Sequence, residues 1–270
     1  MAIAIAIVAL VLLSIAFQLL TPWWQTPLAS NWKSIDTALD VTMWVCGLVF
    51  VALNIFLAYS IYRYRHRRGH RAHYDPESVA LERRLTIWTA VGIAALLAPG
   101  LLAWKQFVTV PKDALVFEAV GQQWQWSFRF PGKDGVLGTV NSRQVSADNP
   151  FGLNPDDPFG RDDILVEGSE VHLPLGRPVK ALLRSKDVTH DFFVPQIRAK
   201  MDLVPGMVTY FWFTPTRTGT FDILCAELCG VGHYTMRGAV AIDQEPAFET
   251  WLSQQPTYSQ LIAESTPASQ

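Results

Sequence analysis

Two cysteines, two histidines and a methionine hold the chemistry of this chain. Cys225, Cys229, His233 and Met236 share one short run, Cys-Ala-Glu-Leu-Cys-Gly-Val-Gly-His-Tyr-Thr-Met, and His190 lies upstream of it. Soft sulfur with imidazole suits copper in an electron-transfer role, and a weak thioether is the kind of axial ligand that tunes the potential of such a site. A single cysteine would point to a mononuclear centre. A second cysteine, Cys229, lets two thiolates bridge two copper ions, each capped by one imidazole. The transferred electron is then shared between both metals, and the geometry change on reduction stays small.

The elements that must position these ligands divide the chain unevenly. Half of its 270 residues are hydrophobic, and the apolar content is concentrated at the N-terminus. Val41 to Tyr62 and Leu85 to Trp104 contain no charged side chain, and each is long enough to cross roughly 30 Å of hydrocarbon as a helix. Between them lie Arg63, Arg65, Arg67, Arg68 and Arg71 with His66, His70 and His73, and Arg83 and Arg84 follow. Such a short basic loop belongs on the cytoplasmic side, so everything after Trp104, the ligand run included, is expected on the outer face. Met1 to Leu20 reads as a third spanning helix or as a secretory signal. The missing basic n-region and the long apolar run favour the helix. Trp23, Trp24 and Trp32 fit an interfacial aromatic belt.

With a net charge of −2, the whole chain offers no electrostatic case for nucleic acid, and topology accounts for the basic loop. Cys46 falls inside a predicted span, where a small buried hydrophobe is the expectation. Cys225 and Cys229 fall in the outward part, where a disulfide between them is the competing reading. Continuation of the spacing through His233 and Met236 favours ligation.

From Lys112 onward the pattern becomes all-β. The expected strands are Leu115 to Val120, Gln123 to Phe130, Ile164 to Val166, Val179 to Leu183, Phe192 to Val194, Val208 to Phe213, Thr220 to Leu224 and Gly238 to Ile242. Short strands with regular turns favour a sandwich or barrel. Alternation along Gln123 to Phe130 places Trp124, Trp126 and Phe128 on one strand face. Glu245 to Leu252 reads as a short amphipathic helix, and Ser253 to Gln270, polar with two prolines, as disorder. The expected divisions are an N-terminal apolar segment and outer linker (1–40), a transmembrane hairpin (41–110), the β domain (111–254) and a disordered tail (255–270).

On the Cys-x3-Cys-x3-His-x2-Met run, the segment Ser185 to His190, the aromatic stretch Gln123 to Phe130 and the two hydrophobic spans, the chain resembles subunit II of the haem-copper cytochrome c oxidases. The resemblance implies a membrane-anchored protein whose outward part is a cupredoxin-like Greek-key β-barrel. It also implies a binuclear copper centre, CuA. In that centre Cys225 and Cys229 bridge the metals, His190 and His233 cap one each, Met236 is the weak axial ligand, and Glu227 lends its backbone carbonyl. The Glu227 carboxylate then matches a side chain that helps hold magnesium or manganese at the interface with subunit I, where an oxygen ligand suits a hard cation; on spacing alone it reads as a solvent-facing turn residue. Trp124 matches the residue at which an electron arrives from cytochrome c, and Asp187 matches an acidic position near that donor. Asp156, Asp157, Asp162 and Asp163 are further docking candidates, or else a solvated connection.

The function so implied is that of the subunit through which a bacterial plasma-membrane cytochrome c oxidase receives electrons from cytochrome c. They pass on to haem in subunit I for O2 reduction coupled to proton pumping, with subunits I and III as partners and the copper domain periplasmic. Cys-x2-Cys-His is absent, so this chain is expected to carry no haem of c type. Rival readings are the same subunit in a nitric oxide reductase and a membrane-tethered copper delivery module; a quinol oxidase subunit normally lacks these ligands. Two positions depart from the family pattern. Arg129 stands where many members have an acid, which implies a different charge pattern for the donor. Leu85 stands where many have a proton-uptake Glu, with Glu82 one helical turn away as a substitute or a surface ion-pair partner.

Overall fold

The structure is a computed structural model describing residues 1–21, 26–71, 76–146, 149–166 and 168–265. Trp23, Trp24, His73 and residues 266–270 lie outside them. Met1–Gln25 with Ser34–Trp104 form one unit, and Thr26–Lys33 with Lys105–Gln270 form a second.

In the first unit α1 (Ala2–Leu20), α2 (Lys33–Arg63) and α3 (Val79–Val108) are each long and apolar enough to cross a membrane. At a rise of 1.5 Å per residue the 19 residues of α1 reach roughly 29 Å, the hydrocarbon thickness. With 31 and 30 residues, α2 and α3 outrun the charge-free spans at both ends. Their helical hydrogen bonding continues through charged residues that suit the flanking water, among them Asp36, Arg63, Glu82 and Lys105. Cys46 is exposed on α2 rather than buried. Trp44, Leu48 and Trp88 are exposed as well, so these helix faces suit lipid or other subunits.

The second unit is built on two five-stranded sheets. The first contains β1 (Leu115–Gln122), β2 (Gln125–Phe130), β3 (Ile164–Val166), β5 (Val179–Ser185) and β8 (Thr209–Phe213), ordered β3-β2-β1-β5-β8. The second contains β4 (Glu170–Pro174), β6 (His190–Val194), β7 (Ala199–Leu203), β9 (Gly219–Cys225) and β10 (Arg237–Asp243), ordered β4-β10-β9-β6-β7. Both sheets are mixed: β1 runs parallel to β5 and β4 parallel to β10, while the other pairs are antiparallel. Strand alternation supplies the core between them, with Phe117, Trp126, Phe128, Phe130, Leu183, Phe192, Phe211 and Ile223 all buried.

The sequence reading placed eight of these strands and missed β4 and β7. It also carried the second strand through Gln123 and Trp124, which instead form the turn joining β1 to β2. Trp124 therefore leaves the face that Trp126 and Phe128 share.

The outer face of the first sheet is covered. Val120 and Leu165 pack there with Phe151, Leu153 and Tyr258. Up to residue 265 this cover replaces the expected disorder of the tail: α4 (Glu245–Ser253) is followed by α5 (Tyr258–Ser265). Tyr258 is buried, its N–H donates to Asp163 O at 2.9 Å, and Thr257 bridges to Ile164 at the β3 edge. Backbone pairing at an otherwise open edge and a buried ring hold this segment, whatever its composition.

Under the same cover Arg129 is 2% exposed. It pairs with Glu118 at 2.8 Å and Asp163 at 2.6 Å, and Arg184 joins Glu118 at 2.7 Å. Arg129 is thus no part of a docking surface, and neither is Asp163. Asp157 is also committed, accepting from Thr139 Oγ1 at 2.6 Å and from the Phe159 N–H at 3.0 Å, and Asp162 accepts from the Asp134 N–H. The acidic loop is mainly a structural connection.

Thr26–Lys33 is likewise more than a linker. Ala29 N–H donates to Gln196 O at 2.8 Å, and Thr216 N–H donates to Ala29 O at 3.0 Å. Trp32, expected at the membrane interface, is buried against Phe107 and Trp212, and its indole N–H donates to Trp212 O at 3.0 Å. Burial with a satisfied N–H is the better resting place for so large a ring.

Candidate metal centre

The ligand residues come from two neighbouring strand ends. β9 and β10 form an antiparallel pair in which Leu224 faces Arg237, and the loop between them runs from Ala226 to Met236. Cys225 closes β9, and its N–H donates to Met236 O at 3.3 Å, tying the base of the loop. His190 opens β6, which pairs with β9 through Phe192 and Cys225. Ala226 N–H donates to Asp191 O at 3.3 Å, holding the two strand ends together.

Five side chains named from the sequence are brought together here. Cys225 Sγ and Cys229 Sγ are 3.7 Å apart. His190 Nδ1 lies 3.9 Å from Cys225 Sγ, and His233 Nδ1 lies 3.6 Å from Cys229 Sγ. Met236 Sδ is 3.9 Å from Cys229 Sγ, and the Glu227 carbonyl oxygen is 3.2 Å from Cys225 Sγ. The ligand atoms of His190, Cys225 and Cys229 all fall within 4.8 Å of one another. His190, Cys229 and Met236 are buried.

Both cysteines are free, and their sulfur separation is far beyond the roughly 2.05 Å of a disulfide. Burial, with the adjacent Cys225, pushes the Cys229 thiol up to about 11. A bound cation is what would make the thiolate the stable form. A pair of buried thiols, each with an imidazole nitrogen beside it and a thioether next to one, fits soft-metal ligation.

The turn before β2 leans on this loop. Trp124 Nε1 donates to Cys229 O at 3.3 Å, and Gln123 Nε2 donates to the same oxygen at 2.9 Å. The indole needs Gly232 beneath it, because a Cβ there would lie 2.3 Å from the ring. Gly230 has φ +119, and a Cβ there would lie 2.9 Å from Gln123 Nε2. Around the site Leu228, Val231 and Tyr234 project with 79%, 86% and 80% of their surface exposed.

Asp187 sits beside His190, not free in solvent. Burial raises its carboxyl, but hydrogen bonds from Gln123 N–H, His190 and Val188 N–H outweigh that and hold it below the usual range. Sequence reasoning missed Gln123 as a contact residue, for a Gln in a predicted strand gives no signal. His172, assigned no role, lies between Asp243 at 2.5 Å and Glu170 at 3.0 Å and stacks on Trp251, pinning α4 to β4 and β10. The Glu227 carboxylate is exposed.

Comparison with known proteins gives the family of the chain. Residues 115–243 match the family described as cytochrome C oxidase subunit II, periplasmic domain. Over 261 residues the chain is 55% identical to the alternative cytochrome c oxidase subunit 2 of Bradyrhizobium diazoefficiens, covering 97% of this chain and 94% of that one. It is 26% identical over 233 residues to the cytochrome c oxidase subunit 2 of Cereibacter sphaeroides, covering 78% and 75%. Among solved structures, the periplasmic domain of subunit II of cytochrome oxidase from Bradyrhizobium japonicum is similar at 26% identity. It covers 54% of this chain and 95% of that one, with a TM-score of 0.40. The chain belongs to the cytochrome c oxidase subunit II family, whose members are parts of an oxidoreductase complex. Family membership implies copper, partner oxidase subunits, membrane anchoring and a β domain on the extracytoplasmic side.

Proposed function

We propose that this chain is the subunit through which a cytochrome c oxidase takes in electrons, receiving them from a cytochrome c and handing them to haem in subunit I. The observation that carries the proposal is the pair of free thiols 3.7 Å apart, with an imidazole nitrogen 3.9 Å from one and 3.6 Å from the other. Cys225, Cys229, His190, His233, Met236 and the Glu227 carbonyl would together hold a pair of copper ions, the two thiolates and two imidazoles as the main ligands and the thioether as a weaker one. When bound, such a copper pair supplies a one-electron relay with little geometry change.

The protein's own residues do the rest. Strand ends hold the ligands at fixed separation, and burial excludes water from the sulfurs. Trp124, linked to the Cys229 carbonyl by its indole N–H, is the point at which an electron enters from the donor. Asp187, at the partly exposed edge beside Gln123, is the acid a basic donor meets there. The exposed Glu227 carboxylate is placed to share a magnesium ion with subunit I. O2 reduction and proton pumping belong to subunit I, and subunit III completes the complex. The setting is the bacterial plasma membrane, with the β domain in the periplasm.

Cys229→Ser tests the assignment. In the purified complex it is expected to abolish the near-infrared copper band and the seven-line hyperfine pattern of one electron hole shared by two coppers, with the subunit still assembled. An unchanged band in that variant rejects the ligand set.

A further inference from the structure

Asp187 does more than present charge. Its Oδ1 lies 2.8 Å from His190 Nε2 and accepts the Val188 N–H at 2.7 Å, while Oδ2 accepts the Gln123 N–H at 2.7 Å. A carboxylate is an acceptor only, so His190 must donate from Nε2. That choice fixes the tautomer: Nδ1 keeps its lone pair, and Nδ1 is the nitrogen facing Cys225 Sγ at 3.9 Å.

Gln123 locks the arrangement from the other side. Its backbone N–H holds Asp187, and its side-chain amide donates to Cys229 O at 2.9 Å, the oxygen that also accepts from the Trp124 indole. One turn thus touches the segment carrying His190 and the loop carrying Cys229. A carboxylate serving only to attract a donor would extend into water; this one meets three N–H groups and is 30% exposed. We propose that Asp187 is a positioning residue that, braced by Gln123, sets the tautomer and ring orientation of His190 for ligation, beyond the charge it shows to the donor. The proposal rests on the copper reading above.

Two variants of the purified complex separate positioning from docking. Asp187→Glu keeps the charge but moves the carboxylate by one methylene. Asp187→Asn keeps the size, but its amide N–H2 can donate to Nε2, which favours a proton on Nδ1, the nitrogen needed for the metal. Both are expected to change the hyperfine pattern and the near-infrared band. Both are also expected to lower the chelator concentration that strips half the copper by about 10–100-fold, as loss of the outer partner of a ligating His does. Under docking alone, Asp187→Glu behaves as wild type, and Asp187→Asn changes only the KM for cytochrome c and its salt dependence. Wild-type copper signatures and chelator resistance in both variants overturn the proposal. Should one variant fail to assemble, the other decides. Absence of the copper band from the wild-type complex overturns the functional reading instead, so the two failures are distinct.

Discussion

A guanidinium removed from water needs acceptors on every side, and Arg129 finds them in Glu118, Asp163 and the Gly138 carbonyl at 3.0 Å. Breaking such a buried set by removing one partner leaves an uncompensated charge, which typically costs about 3–5 kcal/mol. Asp163 carries the strain of this cluster. Burial raises its carboxyl to about 6, against the pull of Arg129 and the Gly138 N–H. The unfolded chain, with an ordinary carboxyl near 3.8, releases that proton earlier. Between pH 4 and 6 the folded state therefore binds more protons than the unfolded one. The Asp163 contribution to stability is full below pH 4 and is lost as pH rises through 6. Denaturant unfolding of the protein at several pH values checks this: in Asp163→Asn the decline attributable to this group between pH 4 and 6 should vanish. An identical pH slope in wild type and variant would show that Asp163 does not hold the proton. Charge in the sequence told nothing of this, because Arg129 alternates with core residues just as a surface residue would.

Elements were legible where local chemistry fixes them and obscure where tertiary contacts do. The eight strands found from sequence have dense apolar alternation, whereas β4, with Glu170 and His172, and β7, with Lys200 and Asp202, are edges of their sheet and carry polar side chains outward. The turn at Gln123 and Trp124 was hidden because alternating residue types run through it without a break. By contrast the ligand run was plain, since spacing within a hairpin loop is itself the geometry of the site. Order in α5 comes from Tyr258, which enters the cluster of Val120, Phe151, Leu153 and Leu165. Tyr258→Ala is accordingly expected to cost about 3 kcal/mol, the scale for deleting a buried aromatic ring. Hydrogen exchange at the Leu165 and Tyr258 amides, which donate to Pro256 O and Asp163 O, should rise with it. Unchanged protection at both would mean that α5 does not hold the cover in place.

At the scale of the whole chain, membrane topology follows from two independent observations. Arg63 at the end of α2, with Arg65, Arg67, Arg68 and Arg71 between α2 and α3, puts that loop on the cytoplasmic side by the positive-inside rule. Separately, Thr26–Lys33, which lies before most of α2, hydrogen-bonds into the β domain that follows α3: Asn31 N–H donates to Thr214 O at 3.1 Å, and Ser30 Oγ donates to Ile197 O at 2.6 Å. The α2–α3 hairpin must then leave and return on one face, whichever face that is, and the arginines say it is the outer one. The β domain is then on the extracytoplasmic side, where the proposed donor would have to reach it, and the cytoplasmic loop is the part a protease outside the cell cannot touch. Trypsin added to intact spheroplasts is expected to spare Arg63, Arg65, Arg67, Arg68 and Arg71. In inverted vesicles it should cut there and leave the β domain protected. Cleavage at these arginines from outside would reverse the orientation and remove the copper site from reach of a periplasmic cytochrome.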